Sequence, residues 1–257
     1  MKLGGRLFVG VVFLGIIINA LPTALAAGRG EPRVYQGENL KAVAMPIGGI
    51  GAGNIWLAGD GRLSVWEIFH NNSNYFHLPD SFFAIRTQQG TNPPTVKVLQ
   101  TAPYANFPAM DALTYRGDYP IADLDFQDKT VPVRVAVKAF NPFIPLNTRD
   151  SAIPCAVYEL TAENPTAQAV TVSFLASLQN PVGVNPNFPV TNYQSNDYGG
   201  NRNAFTRYPD GSEIYLHNPS VTQSSLKDKT NLLFIGSNPG RMAEVNNLNV
   251  ITRPDIT

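Results

Sequence analysis

The stretch PIGGIGAGNIWLAGDGRLSVWEIFHNN, Pro46 to Asn72, decides how the chain reads. Glycines open it at Gly48, Gly49, Gly51 and Gly53. That density specifies a sharp bend or close backbone approach, because a residue without a Cβ tolerates both. Two apolar runs follow, Asn54 to Ala58 and Arg62 to Glu67, on either side of Gly59-Asp60-Gly61. Asp-Gly between such runs signals a β-hairpin. A two-residue turn at Asp60-Gly61 would set Ala58 opposite Leu63, Trp56 opposite Val65 and Ile55 opposite Trp66, with both faces largely apolar and buried. The competing reading of the glycines is a phosphate loop. Asn54 stands where a dinucleotide fingerprint carries its third glycine, a strand follows where a helix is required, and no GK[ST] occurs.

Outward from the hairpin, the chain reads as β-structure. Val131, Val133, Val135 and Val137 alternate with Pro132, Arg134, Ala136 and Lys138, the period of a strand with one buried face. Ala152 to Glu163 and Ala169 to Leu178, joined by Asn164 to Gln168, read as a strand pair, with Val170, Val172, Phe174, Ala176 and Leu178 on one side. Shorter strands are expected at Ser81 to Arg86, Thr95 to Leu99, Glu213 to His217 and Leu232 to Gly236. No segment after residue 26 shows a long capped helical period. The fold class is therefore all-β, a β-sandwich over 27–257, with a closed barrel as the alternative.

Residues 1–26 have the form of an export signal. Lys2 and Arg6 supply a charged start, Leu7 to Ile18 are apolar apart from glycines, and Ala24-Leu25-Ala26 offers a cleavage site. An apolar run of about a dozen residues is short for a membrane span, which needs ~20. The expected location is therefore periplasmic or extracellular. The chain carries 19 basic and 19 acidic residues. Losing Lys2 and Arg6 would tip it slightly acidic, and such a balance gives no footprint for nucleic acid. Cys155, the single cysteine, has no intramolecular disulfide partner and reads as a small buried hydrophobe.

Chemistry-bearing constellations are sparse. His70, His77 and His217 show no zinc-ligand spacing, so neither a metal nor a cofactor is expected, and no G-x-S-x-G elbow occurs. Asn71-Asn72-Ser73 is a glycosylation sequon whose default role is a turn. Glu67, Asp118, Asp123, Asp125 and Asp150 are the carboxylates to weigh for sugar hydrolysis, which needs two placed across the scissile bond. Their spacing selects no pair. The irregular stretch Asn180 to Asn203 carries Tyr193 and Tyr198, candidates for stacking on a sugar ring, or parts of a plain surface connection.

Two stretches resemble glycoside hydrolase family 116, which contains the non-lysosomal glucosylceramidases and related bacterial β-glucosidases. One is the opening motif, Gly48, Gly49, Gly51 and Gly53 followed by Trp66, Glu67, Phe69 and Asn71. The other is Tyr119-Pro120 with Ala122 and then FNPFIPLNTRDSAIPCAVYELTAENP, Phe140 to Pro165, in which Asn141 replaces the family's usual serine. The resemblance implies an amino-terminal β-sandwich portion of a retaining β-glucosidase or glucosylceramidase-like enzyme. Its catalytic carboxylates would belong to a helical barrel absent from this chain, so no catalytic residue is carried over. It also implies that the opening motif lies near the barrel interface, that the barrel is the partner, and that a carbohydrate or glycolipid is the substrate. Two other readings stand beside it: a stand-alone secreted carbohydrate-binding sandwich, and a structural surface domain without sugar chemistry.

Overall fold

The computed structural model describes residues 7–13, 31–67, 77–182, 200–208, 211–219, 230–237 and 249–251. In chain order the strands are β1 (Leu7–Phe13), β2 (Arg33–Gln36), β3 (Ala44–Ile47), β4 (Asn54–Ala58), β5 (Leu63–Glu67), β6 (Phe82–Gln89), β7 (Thr95–Val98) and β8 (Ala112–Asp118). They continue as β9 (Ile121–Gln127), β10 (Arg134–Phe140), β11 (Cys155–Glu163), β12 (Val170–Ser177), β13 (Arg202–Tyr208), β14 (Gly211–His217), β15 (Thr230–Ser237) and β16 (Asn249–Ile251). A one-turn helix, α1 (Thr148–Ser151), precedes β11.

Nine strands form the largest sheet, in the order β13-β14-β15-β1-β11-β10-β9-β8-β2. Four more run β16-β12-β6-β7, and β3-β4-β5 make a third sheet. Among the described strands the large sheet ends on β13 and β2, so it is open there and the closed-barrel alternative is set aside. One buried core draws on all three sheets, with Ile47, Ile55, Leu57 and Trp66 from the smallest, Ile85, Val172 and Phe174 from the four-stranded, and Tyr115, Leu124, Val137 and Leu160 from the largest. The last four are directly paired across β8, β9, β10 and β11. A strand's side chains alternate between faces, so the next row outward is also in register. That row reads Arg116, Asp123, Lys138, Glu159, with signs alternating across the strands. Opposite charges set directly opposite favour this pairing over slipped ones.

Two sequence expectations change. The β4–β5 hairpin keeps Ile55 opposite Trp66 and Trp56 opposite Val65, but Leu57, not Ala58, meets Leu63. Ala58 instead closes on Arg62 around a three-residue loop, Gly59-Asp60-Gly61, with Gly61 at φ +89°. Ser64 is the extra residue of a bulge, its hydroxyl donating to the Trp56 carbonyl at 3.1 Å. A three-residue loop with a left-handed glycine satisfies the turn where two residues would have forced a different twist. Burial is also one-sided: Ile55, Leu57, Leu63 and Trp66 are buried, while Trp56 is half-buried and its indole donates to Glu67 Oε2 at 3.0 Å.

The second change concerns β11 and β12, expected as a pair. They lie in different sheets: β11 pairs with β10, and β12 pairs with β6 over eight positions. Their short connection crosses from one layer of the sandwich to the other. The expected shared face of β12 holds, with Val172, Phe174 and Ala176 buried. β1 lies within the stretch read as an export leader, and it pairs in parallel with both β11 and β15.

Candidate functional site

The two stretches that carry the family resemblance are far apart in sequence and meet in space. Gly48 to Gly53 forms the tight connection between β3 and β4, closed by a hydrogen bond from the Ala52 amide to the Gly49 carbonyl at 3.0 Å. Its outer side rests on the segment after β10. The Ile50 amide donates to the Ser151 carbonyl at 2.8 Å. Gly49 packs so closely that a Cβ there would lie 2.2 Å from the Ile153 carbonyl oxygen. Only glycine permits that contact, which explains why the opening motif needs a residue without a side chain at this position.

Segment 141–154 cannot be a strand, because Pro142, Pro145 and Pro154 remove ladder donors. It is folded by its own polar side chains. Asn147 caps α1, its Oδ1 accepting from the Asp150 amide at 3.1 Å, while its Nδ2 donates to Asp150 Oδ2 at 2.6 Å. The buried Ser151 hydroxyl donates to the Ile144 carbonyl at 3.0 Å and accepts from the Ile144 amide at 2.9 Å. Tyr119 joins from the β8–β9 turn, its ring edge-on to Phe143 at 5.7 Å and its hydroxyl accepting from Asn141 Nδ2 at 3.3 Å.

With the polar groups turned inward, the apolar ones face out. Ile50, Tyr119, Phe143, Ile144, Leu146 and Ile153 are all exposed, and Leu146 is fully so at 106% with a left-handed φ of +67°. Single exposed apolar residues are ordinary, but six on segments tied together by hydrogen bonds form a surface suited to a partner. In the sequence Tyr119 and the 140–165 stretch stand out as family motif, but nothing marks the six side chains as one surface. The available signal was an apolar run broken by prolines, which leaves the apolar groups without a sheet to cover them.

The family model described as beta-glucosidase 2, glycosyl-hydrolase family 116 N-term, matches residues 44–250. The chain belongs to glycosyl-hydrolase family 116. Comparison with curated proteins yields no match. The match of the family 116 amino-terminal model takes in both loop stretches and all the strands from β3 to β15.

The remaining candidates fall as follows. Of the opening motif, Trp66 is buried, and Gly51 and Gly53 adopt φ of +68° and +94°. Phe69, Asn71, His70, the sequon, Tyr193 and Tyr198 lie outside the described residues. Among the carboxylates, Asp125 is ion-paired with Arg116, Asp123 with Lys138 at 3.6 Å, and Glu67 is held by Trp56. No group of three or more His, Cys, Asp or Glu suited to a metal occurs among the described residues. His217 stacks on Tyr215, the ring centroids 5.2 Å apart. Cys155 is half-buried and not fully enclosed as expected, and this partial burial pushes its thiol up, toward the protonated, unreactive form.

Proposed function

We propose that this chain is the non-catalytic amino-terminal sandwich of an exported β-glucosidase or glucosylceramidase-like hydrolase, and that the surface around Ile144 and Leu146 docks onto the helical catalytic domain. The observation that carries the reading is the placement of the exposed apolar residues where the two family stretches meet. A loop folded by the buried Ser151 and the half-buried Asn147 yet displaying Ile144 and Leu146 is ordered in advance of its partner, which lowers the cost of docking. The state of the carboxylates supports a non-catalytic role: Asp123, Asp125 and Glu67 already serve partners of their own.

The test is a pair of substitutions, Ile144→Asp and Leu146→Asp, made in the polypeptide that carries its catalytic barrel. Both side chains are solvent-exposed in this domain, so its own folding is expected to be unchanged. Burying an unpaired carboxylate at an interface costs several kcal/mol, so hydrolysis of an aryl β-glucoside should fall steeply and the two domains should melt separately. Full hydrolysis with one shared transition would sink the docking role.

A further inference from the structure

A cavity of about 540 Å³ lies between the β2–β8 edge of the large sheet and the start of β3, with Tyr119 in its lining. Val43, Met45 and Gly117 line it together with the aromatic residues Tyr35 and Tyr119 and the charged residues Glu31, Arg33 and Asp118. Small-molecule sites are concave, of a few hundred Å³, with apolar linings and a few convergent polar groups. Here the lining mixes apolar and aromatic residues with charged residues of both signs.

Gly117 lines the cavity and has no room for a side chain. It pairs with Arg33 in the β2–β8 ladder, and a Cβ on it would come within 3.2 Å of Met45 Cε and 3.1 Å of the Tyr115 ring. Any side chain at this position must displace Met45, which also lines the cavity. Tyr35 is steadied by an edge-on contact with the buried Tyr115, centroids 6.4 Å apart.

We propose that this cavity binds a saccharide, with the Tyr35 and Tyr119 rings against the C–H faces of a pyranose and Asp118, Glu31 and Arg33 engaging its hydroxyls. Carboxylates accept from sugar hydroxyls, a guanidinium donates to them, and aromatic side chains with a polar tip suit an amphipathic ring. The ligand class rests on the family reading above; the cavity and its lining do not. Tyr119 belongs both to this cavity and to the docking surface, so an occupied cavity would lie at the edge of the docked domain.

Cellobiose titrated into the 257-residue chain, followed by saturation-transfer NMR, tests the site, with octyl β-glucoside as a probe for apolar binding. Saturable cellobiose binding in the millimolar range is expected. Asp118→Asn, at an exposed position, should weaken it about tenfold, the worth of one hydrogen bond to a charged group. Gly117→Val should abolish it. Where Gly117→Val disturbs the strand, as circular dichroism would reveal, Asp118→Asn alone decides. No saturable cellobiose binding, binding unmoved by Asp118→Asn, or binding of octyl β-glucoside only would each overturn the proposal. Neither Gly117 nor Asp118 is among the six docking side chains, so loss of cellobiose binding with docking intact, or the reverse, tells the two readings apart.

Discussion

Gly49 and Gly51 are two residues apart and are glycines for different reasons. Gly49 has no room for a side chain, its virtual Cβ lying 2.2 Å from the Ile153 carbonyl oxygen, whereas Gly51 has open space around it but a φ of +68°. Gly49→Ala must push the β3–β4 loop off segment 150–153 and should cost about 1–3 kcal/mol or more, as overpacking does. Gly51→Ala meets only the left-handed penalty of about 1–2 kcal/mol. Chemical denaturation of the two variants should rank them in that order. Restoring Gly49→Ala with a second change at Ile153 should fail, because the clash is with backbone. Equal losses at the two sites would show that the loop does not depend on this contact.

At the scale of elements, residue pattern revealed existence more readily than partnership. The alternation at Val135 and Val137 and the apolar face of β12 were legible because burial imposes a period of two. β8 and β9 were missed because Arg116, Asp118, Asp123 and Asp125 make their stretch look like solvated turn. The buried partners Ala122, Leu124 and Phe126 alternate with those charges, and that alternation was the signal to read. Pairing of β11 with β12 was inferred from a short connector, yet a connector of that length serves equally well to cross between layers. Nothing local distinguishes the two, since the choice is made by β10 and β6. The glycines of the candidate site were legible one by one, while its exposed apolar surface depends on two distant segments meeting. For β1, register offers a direct check: Gly10 stands opposite Cys155. Opposed residues in a sheet lie within the Cα separation a disulfide accepts. Gly10→Cys should therefore cross-link to Cys155 under mild oxidation in the unprocessed chain, read as a mobility shift reversed by reductant. Absence of the cross-link in chain that retains residue 10 would remove β1 from this slot.

At the scale of the whole molecule, an ion pair ties the two main layers together. Lys97 on β7 of the four-stranded sheet meets Asp128, just beyond β9 of the large sheet, at 2.8 Å, with side-chain exposures of 14% and 0%. Burial by itself would raise the Asp128 carboxyl, but the Lys97 ammonium beside it and the hydrogen bonds from Thr130 outweigh it and hold the group below its ordinary value. A depressed carboxylate contributes stability that is complete above its unfolded value, near 4, and is lost as pH falls through the lower folded value. Denaturation midpoints measured from pH 7 downward should drop below about pH 4, and Asp128→Asn should flatten part of that drop. Lys97→Met, which strands a buried carboxylate, should cost about 3 kcal/mol at neutral pH. An unchanged acid limb in Asp128→Asn would assign the loss to other groups.

The position of β1 has a consequence for maturation. If residues 1–26 are removed on export, as their composition suggests, the nine-stranded sheet is cut between β15 and β11, into pieces of three and five strands. Both cut edges would bare hydrogen-bonding groups that some other strand must meet, or that invite self-association. On this view the precursor and the processed protein are two different sheets written in one polypeptide. A protease that never touches the core would decide which of them the cell obtains.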